Sequence, residues 1–273
     1  MKVSVITVCY NAEKTIATAM ASVAAQRVVE VEYIIVDGGS MDGTVREIEN
    51  FANEVRGGEG QGKFSFRWIS EKDEGMYDAI NKGVRLATGD VVGILNSDDI
   101  LATDTVLCDV VRAFVEAPDV DAVYADVRFV AATEGGDSVE SLRKATTRRY
   151  YSAKQWRPWM HNWGYMPPHP SVYIRREVFA KLGGYRLGYR ISADFELMVR
   201  YFCKTGIKAR YIPQCLVVMR TGGLSTGGWR SNVRLNVENI RANRENGYFS
   251  CFLMMLPKYA FKIWEFVFPK KDF

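Results

Sequence analysis

Tyr33-Ile34-Ile35-Val36-Asp37-Gly38-Gly39-Ser40-Met41-Asp42-Gly43-Thr44 reads as a buried strand that stops on a carboxylate, a glycine turn, and the first residue of a helix running to Val55. The same grammar repeats outward from it. Upstream, Val3–Tyr10 is a short β-rich run, and Glu13–Ala25 has helical spacing with Ile16, Met20 and Val23 on one face. Downstream, a glycine-rich loop over 56–63 leads to a strand at Phe64–Ile69, a helix at Met76–Ala87 and a strand at Val91–Leu95. A helix at Thr103–Glu116 and a strand at Ala122–Val130 follow. Apolar strands alternating with helices of this length predict an α/β fold with a mostly parallel, Rossmann-like central sheet flanked by helices. Residues 1–131 form one nucleotide-binding-type unit on this reading.

The second half is less regular. Thr133–Ser141 is polar and loop-like, and Trp156, Trp159, Trp163 and Tyr165 lead into Pro167-Pro168-His169-Pro170. A strand is expected at Ser171–Arg175, a helix at Asp194–Thr205, a strand at Ala209–Met219 and a helix at Arg230–Asn246. We divide it into 132–230, completing the same domain, and a helical extension over 231–273. Pro257 suits a first helical turn. Beyond it Lys258, Lys262 and Glu265 share one face while Tyr259, Ile263, Trp264, Phe266 and Val267 cover the rest, the pattern of a helix lying in a membrane interface. Packing of that helix on the domain is the alternative.

Bulk properties narrow the class. The 273 residues are 48% hydrophobic and 25% charged, ordinary for a globular protein. A net charge of +4 is too mild for a nucleic-acid binder but suits an anionic ligand or an anionic lipid surface. The five cysteines form no CxxC pair, so free thiols and a reducing compartment are expected. With no secretion signal and no apolar run of about 18 residues, the expectation is a cytoplasmic protein, peripheral on the inner face of the cell membrane at most.

In open α/β sheets ligands bind beyond the carboxyl ends of the strands. Four successive strand ends here carry polar residues: Thr7, Tyr10 and Asn11; Asp37 with its glycine turn; Glu71-Lys72-Asp73-Glu74-Gly75; and Asn96-Ser97-Asp98-Asp99. Asp37 can accept from a base N–H or cap a turn, and Lys72 can neutralise a phosphate. Adjacent carboxylates after an apolar strand are costly unless a cation compensates them, so Asp98 and Asp99 are candidate ligands for Mg²⁺ or Mn²⁺. No GxGxxG follows the first strand, which excludes a dinucleotide-binding Rossmann enzyme and a P-loop NTPase.

Ser4–Asn11, Val36–Thr44, Glu71–Gly83 and Leu95–Asp99, in this order over the first hundred residues, resemble the inverting glycosyltransferase family 2 with its GT-A fold. Gly75-Met76-Tyr77-Asp78-Ala79-Ile80-Asn81-Lys82-Gly83 is similar to bacterial members that build capsules, exopolysaccharides or O-antigens. The resemblance implies a nucleotide-sugar donor, taken here as a UDP-sugar, and a saccharide or lipid-linked saccharide acceptor. It places Thr7, Tyr10, Asn11, Asp37, Lys72, Asp73, Tyr77, Asn81, Asn96 and Asp98 around the donor, with Asp98 and Asp99 at the DxD position. Asn96 stands where the usual motif begins with an acid, so metal binding would rest on the pair that follows it. In Ile191-Ser192-Ala193-Asp194-Phe195-Glu196-Leu197 the resemblance makes Asp194 the general base, although Ala193 replaces the usual acidic neighbour. Glu196 is a weaker candidate, about 200° around the helix. His169, Trp163 and Arg220 are assigned to the acceptor side, Arg220 with Gly222-Gly223-Leu224-Ser225 resembling a closing loop. The alternative to an enzyme is a catalytically inactive nucleotide-binding scaffold in a polysaccharide assembly complex.

Overall fold

The structure is a computed structural model that describes residues 1–27, 29–57, 63–131, 137–222 and 229–259. Strands β1 (Lys2–Cys9), β2 (Glu30–Asp37) and β4 (Val91–Ile94) are buried almost throughout. Their Val and Ile runs serve two apolar layers at once, because helices cover both faces of the sheet. With β3 (Phe64–Ser70) they pair in parallel in the order β3-β2-β1-β4. Register levels their carboxyl ends: Cys9 lies opposite Asp37, and Asp37 opposite Ser70. Ile94 lies opposite Ile6, so β4 stops short of Cys9 and its continuation bends across the same edge.

Helices α1 (Ile16–Ala24), α2 (Thr44–Gly57), α3 (Met76–Leu86) and α4 (Val106–Glu116) fall where the periodicity places them. Two of them start about three residues late. Asn11 adopts φ 50°, and the N–H groups of Thr15 and Ile16 both bond to the Ala12 carbonyl before α1 begins. The Thr103 hydroxyl accepts from the Thr105 N–H and delays α4.

The second half of the sheet is mixed rather than parallel. The full order is β3-β2-β1-β4-β8-β6-β9-β5, with β7 on β6. Strand β8 (Tyr173–Arg175) runs antiparallel between β4 and β6 (Ala122–Val130), and β9 (Ala209–Arg220) runs parallel to β6. The two halves therefore share one sheet, and position 131 is a point along the chain rather than a spatial boundary. Gly93 permits this insertion: a Cβ there would sit 2.2 Å from the Tyr173 ring.

Several elements went unread in the sequence: β5 (Ile100–Leu101), α5 (Val139–Lys144), β7 (Thr147–Tyr151) and α6 (Arg176–Leu182). Helix α5 starts inside the segment expected to be loop, its N-terminus capped by Ser138, whose hydroxyl accepts from the Ser141 N–H at 3.1 Å. Helix α7 (Ala193–Met198) continues into a π-helical stretch at Val199–Lys204, and α8 (Trp229–Glu245) packs beside it. A 3₁₀ turn at Phe252–Met255 follows. The expected tail helix lies outside the described residues beyond Tyr259. No helix among the described residues is long and apolar enough to cross a membrane.

Candidate active site

At the carboxyl edge of β1–β3, Asp37 is fully buried and organises the turn after it. One carboxylate oxygen accepts from the N–H groups of Gly39 and Ser40 at 3.2 and 2.9 Å and from the Ser70 hydroxyl at 2.6 Å. The other accepts from the Ser40 hydroxyl at 2.5 Å. Burial opposes the charge, but the bonds from Ser40 and Ser70 prevail and hold this carboxyl below the ordinary aspartate range. Asn11 staples the neighbouring loop: its N–H bonds to the Ser40 hydroxyl and its side chain accepts from the Met41 N–H. Tyr10 stands beside it, 59% exposed.

The loop after β3 closes the other side. Lys72 is exposed, and its carbonyl accepts from Lys82, which also pairs with Glu71 at 2.8 Å. One oxygen of Asp73 accepts from the Gly75 N–H, and the other lies against Gly38, where a Cβ would come within 2.5 Å. The missing side chain at Gly38 thus leaves room for the Asp73 carboxylate beside the turn.

The Asn96–Asp99 turn follows β4. Asp99 is buried and accepts from the Asn96 amide at 2.9 Å. Burial first and the neighbouring Asp98 second raise its proton affinity well above normal; burial also raises that of Asp98. Arg220, at the end of β9, donates to the Asp98 carbonyl at 2.5 Å and to the Thr18 hydroxyl at 3.0 Å. It therefore stands against the acidic turn, because β5 and β9 pair and draw the two ends together. Asn96, expected on the donor, has its amide turned to Asp99.

Asp194 is the second residue of α7, and its own oxygen accepts from the Phe195 N–H at 2.8 Å. Burial pushes its pKa up to about 6. The Tyr77 hydroxyl donates to the Ile191 carbonyl at 2.5 Å and lies 3.3 Å from the same Asp194 oxygen. Tyr77 thus sits under Asp194. Its ring stacks on Tyr185 at 5.8 Å, and the Tyr185 hydroxyl bonds to Nε2 of His169 at 2.6 Å. Burial lowers the His169 pKa to about 4, so the imidazole is neutral near pH 7. The Asn81 amide grips both the N–H and the carbonyl of Tyr185 at 2.8 Å.

Thr7 is fully buried, its hydroxyl accepting from Tyr33, because that face of β1 packs under α1 and α2. Trp163 forms an edge-to-face pair with Trp159 in a 3₁₀ turn at Pro158–Trp163, which is pinned to α8 by His161 and Asn243. Glu196 is neutralised by Arg200 and Arg186, which leaves Asp194 as the carboxylate at this helix start. Sequence reasoning missed Tyr185 and Glu238, since neither lies in a motif; both reach Asp194 only through tertiary packing.

Solved structures share this architecture. The chain superposes on S. aureus TarS 1–349 in complex with UDP-GlcNAc with a TM-score of 0.61, at 18% identity, over 89% of this chain and 68% of that one. A mannosyltransferase from Pyrobaculum calidifontis in complex with GDP-Man and Mn²⁺ superposes with a TM-score of 0.60, at 20% identity, over 88% of this chain and 64% of that one. The fold is that of the GT-A glycosyltransferases. Residues 4–183 match the family model for Glycosyl transferase family 2. The chain belongs to that family and is a glycosyltransferase. It is 29% identical over 209 residues to a PGL/p-HBAD biosynthesis glycosyltransferase of Mycobacterium bovis, covering 77% of this chain and 73% of that protein. A shorter match, 38% over 108 residues, is to chondroitin synthase of Escherichia coli, covering 39% of this chain and 14% of that protein.

Proposed function

We propose that this chain is an inverting, metal-dependent glycosyltransferase that moves a sugar from a UDP-sugar to a saccharide or lipid-linked saccharide in cell-surface polysaccharide synthesis. The observation that carries the reading is Asp194, a sheltered carboxylate whose pKa of about 6 suits proton abstraction near neutral pH. The acceptor hydroxyl oxygen attacks the anomeric carbon, the bond to the diphosphate oxygen breaks, and the nucleoside diphosphate leaves with the electron pair. The acceptor proton passes to Asp194. A single in-line displacement inverts the anomeric centre.

Asp98 and Asp99 fit a hard divalent cation. They are two sheltered carboxylates whose proton affinity is raised by burial, with the Arg220 charge only partly opposing it. No three His, Cys, Asp or Glu side chains gather among those residues, so diphosphate and water oxygens would complete the shell. Bound Mn²⁺ or Mg²⁺ would supply charge stabilisation to the departing diphosphate. Tyr10, the Asp37 turn, Lys72 and Asp73 hold the nucleoside side, with Lys72 free to meet phosphate. The complexes of structural neighbours, with UDP-GlcNAc in one and GDP-Man with Mn²⁺ in another, support a nucleotide-sugar donor.

Peripheral membrane placement is part of the proposal. Phe249, Phe252, Leu253 and Leu256 are each more than half exposed, and residues 246–264 contain lysines but no Asp or Glu. The test is calorimetric titration with UDP in Mn²⁺, then in EDTA, with GDP for comparison. Metal-dependent, UDP-selective binding supports the donor site. GDP preference changes the donor; no binding removes the assignment. Separately, Asp194→Asn is expected to abolish transfer in a screen of UDP-sugars.

A further inference from the structure

Asp194 sits at the start of a six-residue helix whose own N-cap, Ser192, makes no side-chain capping bond. The groups that hold it come from elsewhere in the chain. Glu238, on α8 and only 9% exposed, aims its carboxylate at the strand of backbone leading into α7. One oxygen accepts from the N–H groups of Ile191 and Ser192, both at 2.9 Å, and the other from Arg190 at 3.2 Å. Three successive amides pointing at one buried carboxylate make an anion nest supplied by a distant helix. From the opposite direction, Tyr77 on α3 bonds to the Ile191 carbonyl and approaches Asp194 itself. The segment 190–194 is thus gripped on its N–H side by α8 and on its carbonyl side by α3.

We infer that Glu238 and Tyr77 form a two-sided clamp that positions Asp194 and sets its proton affinity from opposite directions. The inference rests on the reading of Asp194 as the general base. The Tyr77 hydroxyl has one proton to share: given to the Ile191 carbonyl it holds the backbone, and given to the Asp194 oxygen it favours the charged base. Glu238 holds the backbone still, and its negative charge opposes ionisation of Asp194. The remaining neighbours do not duplicate these roles. The Phe195 N–H comes from the same helix, Tyr185 stacks behind Tyr77, and Glu196 is matched by Arg200 and Arg186. A capping role alone would require the three amide bonds but would not require opposed effects on Asp194.

The test reads Asp194 directly, without a known acceptor. Protein labelled with ¹³C at aspartate side-chain carboxyls is titrated by NMR, and the Asp194 signal is identified by its loss in Asp194→Asn. Tyr77→Phe is expected to move the midpoint upward and Glu238→Gln downward, each by roughly half a pH unit or more. Gln keeps an acceptor for Ile191 and Ser192 while losing the charge. Glu238→Asp keeps the charge and should stay nearer the wild-type midpoint, which gives a second variant should Glu238→Gln fold poorly. Unmoved midpoints, or shifts of both variants in one direction, would overturn the clamp. Retained transfer in Asp194→Asn would instead remove the base assignment and leave these midpoints as measured, so the two failures are distinct.

Discussion

Replacing Asn81 with Ala separates a ligand contact from a structural grip. The Asn81 amide makes two bonds to Tyr185, both at 2.8 Å, and Gly184 lies so close that a Cβ there would approach Asn81 to 2.2 Å. Each neutral bond is worth about 1 kcal/mol net, and the orphaned Tyr185 groups add desolvation cost, so the expected loss is about 2–4 kcal/mol. For a chain of this size that corresponds to a melting drop of roughly 4–16 °C. Tyr185 backs Tyr77 and holds His169, so loosening it displaces the support beneath Asp194. Turnover should therefore fall about 10-fold or more while the donor KM stays near wild type. The assay is scanning calorimetry beside steady-state release of UDP from a UDP-sugar. An unchanged melting temperature with a donor KM raised tenfold would refute this reasoning and return Asn81 to the donor.

Two further outcomes follow from the packing. Glu32 is buried, and although burial opposes its charge, bonds from Ser4 and Thr88 with the charge of Lys2 bring its pKa down to about 2. A lowered folded pKa stabilises above the unfolded value near 4.5, and that contribution is lost as pH falls towards 2. Glu32→Gln should cost about 1–3 kcal/mol at pH 7, less than the full shift because Arg67 and Lys2 are partly solvent-screened, and the gap from wild type should close between pH 4.5 and 2 in urea melts. Gly93→Ala forces a methyl into the Tyr173 ring and should destabilise by about 1–3 kcal/mol, with partial recovery in a Gly93→Ala, Tyr173→Val double variant measured by urea midpoint.

The elements read best in the sequence are those whose signal is local. Ala122–Val130 matches its strand residue for residue, the strand ending at Ile94 and the helices from Thr44 and Met76 fall within a residue or two of expectation, and the strand ending at Asp37 starts three residues early. The two-residue β5 escaped, too short for periodicity to register, whereas β8 falls inside the strand expected at Ser171–Arg175. The sequence also brought together Asp37, Lys72, Asp73, Asp98 and Asp99 as strand-end residues, since parallel strands in register must present their carboxyl ends at one edge.

What the sequence by itself determined is the family, the α/β alternation, the edge that carries the carboxylates and the candidacy of Asp194. Hydrophobic period and local motif spacing encode these, and they need no knowledge of distant contacts. Tertiary structure alone decided which face each side chain meets. It turned Thr7 into the core, drew Arg220 to the acidic turn, put Tyr77 and Asn81 to work on the support of Asp194, and brought Glu238 to the amides of Arg190–Ser192. These contacts join residues dozens of positions apart. Their partners are selected by the burial of polar groups that must be satisfied in the folded state, and no window of sequence contains both sides of such a bond.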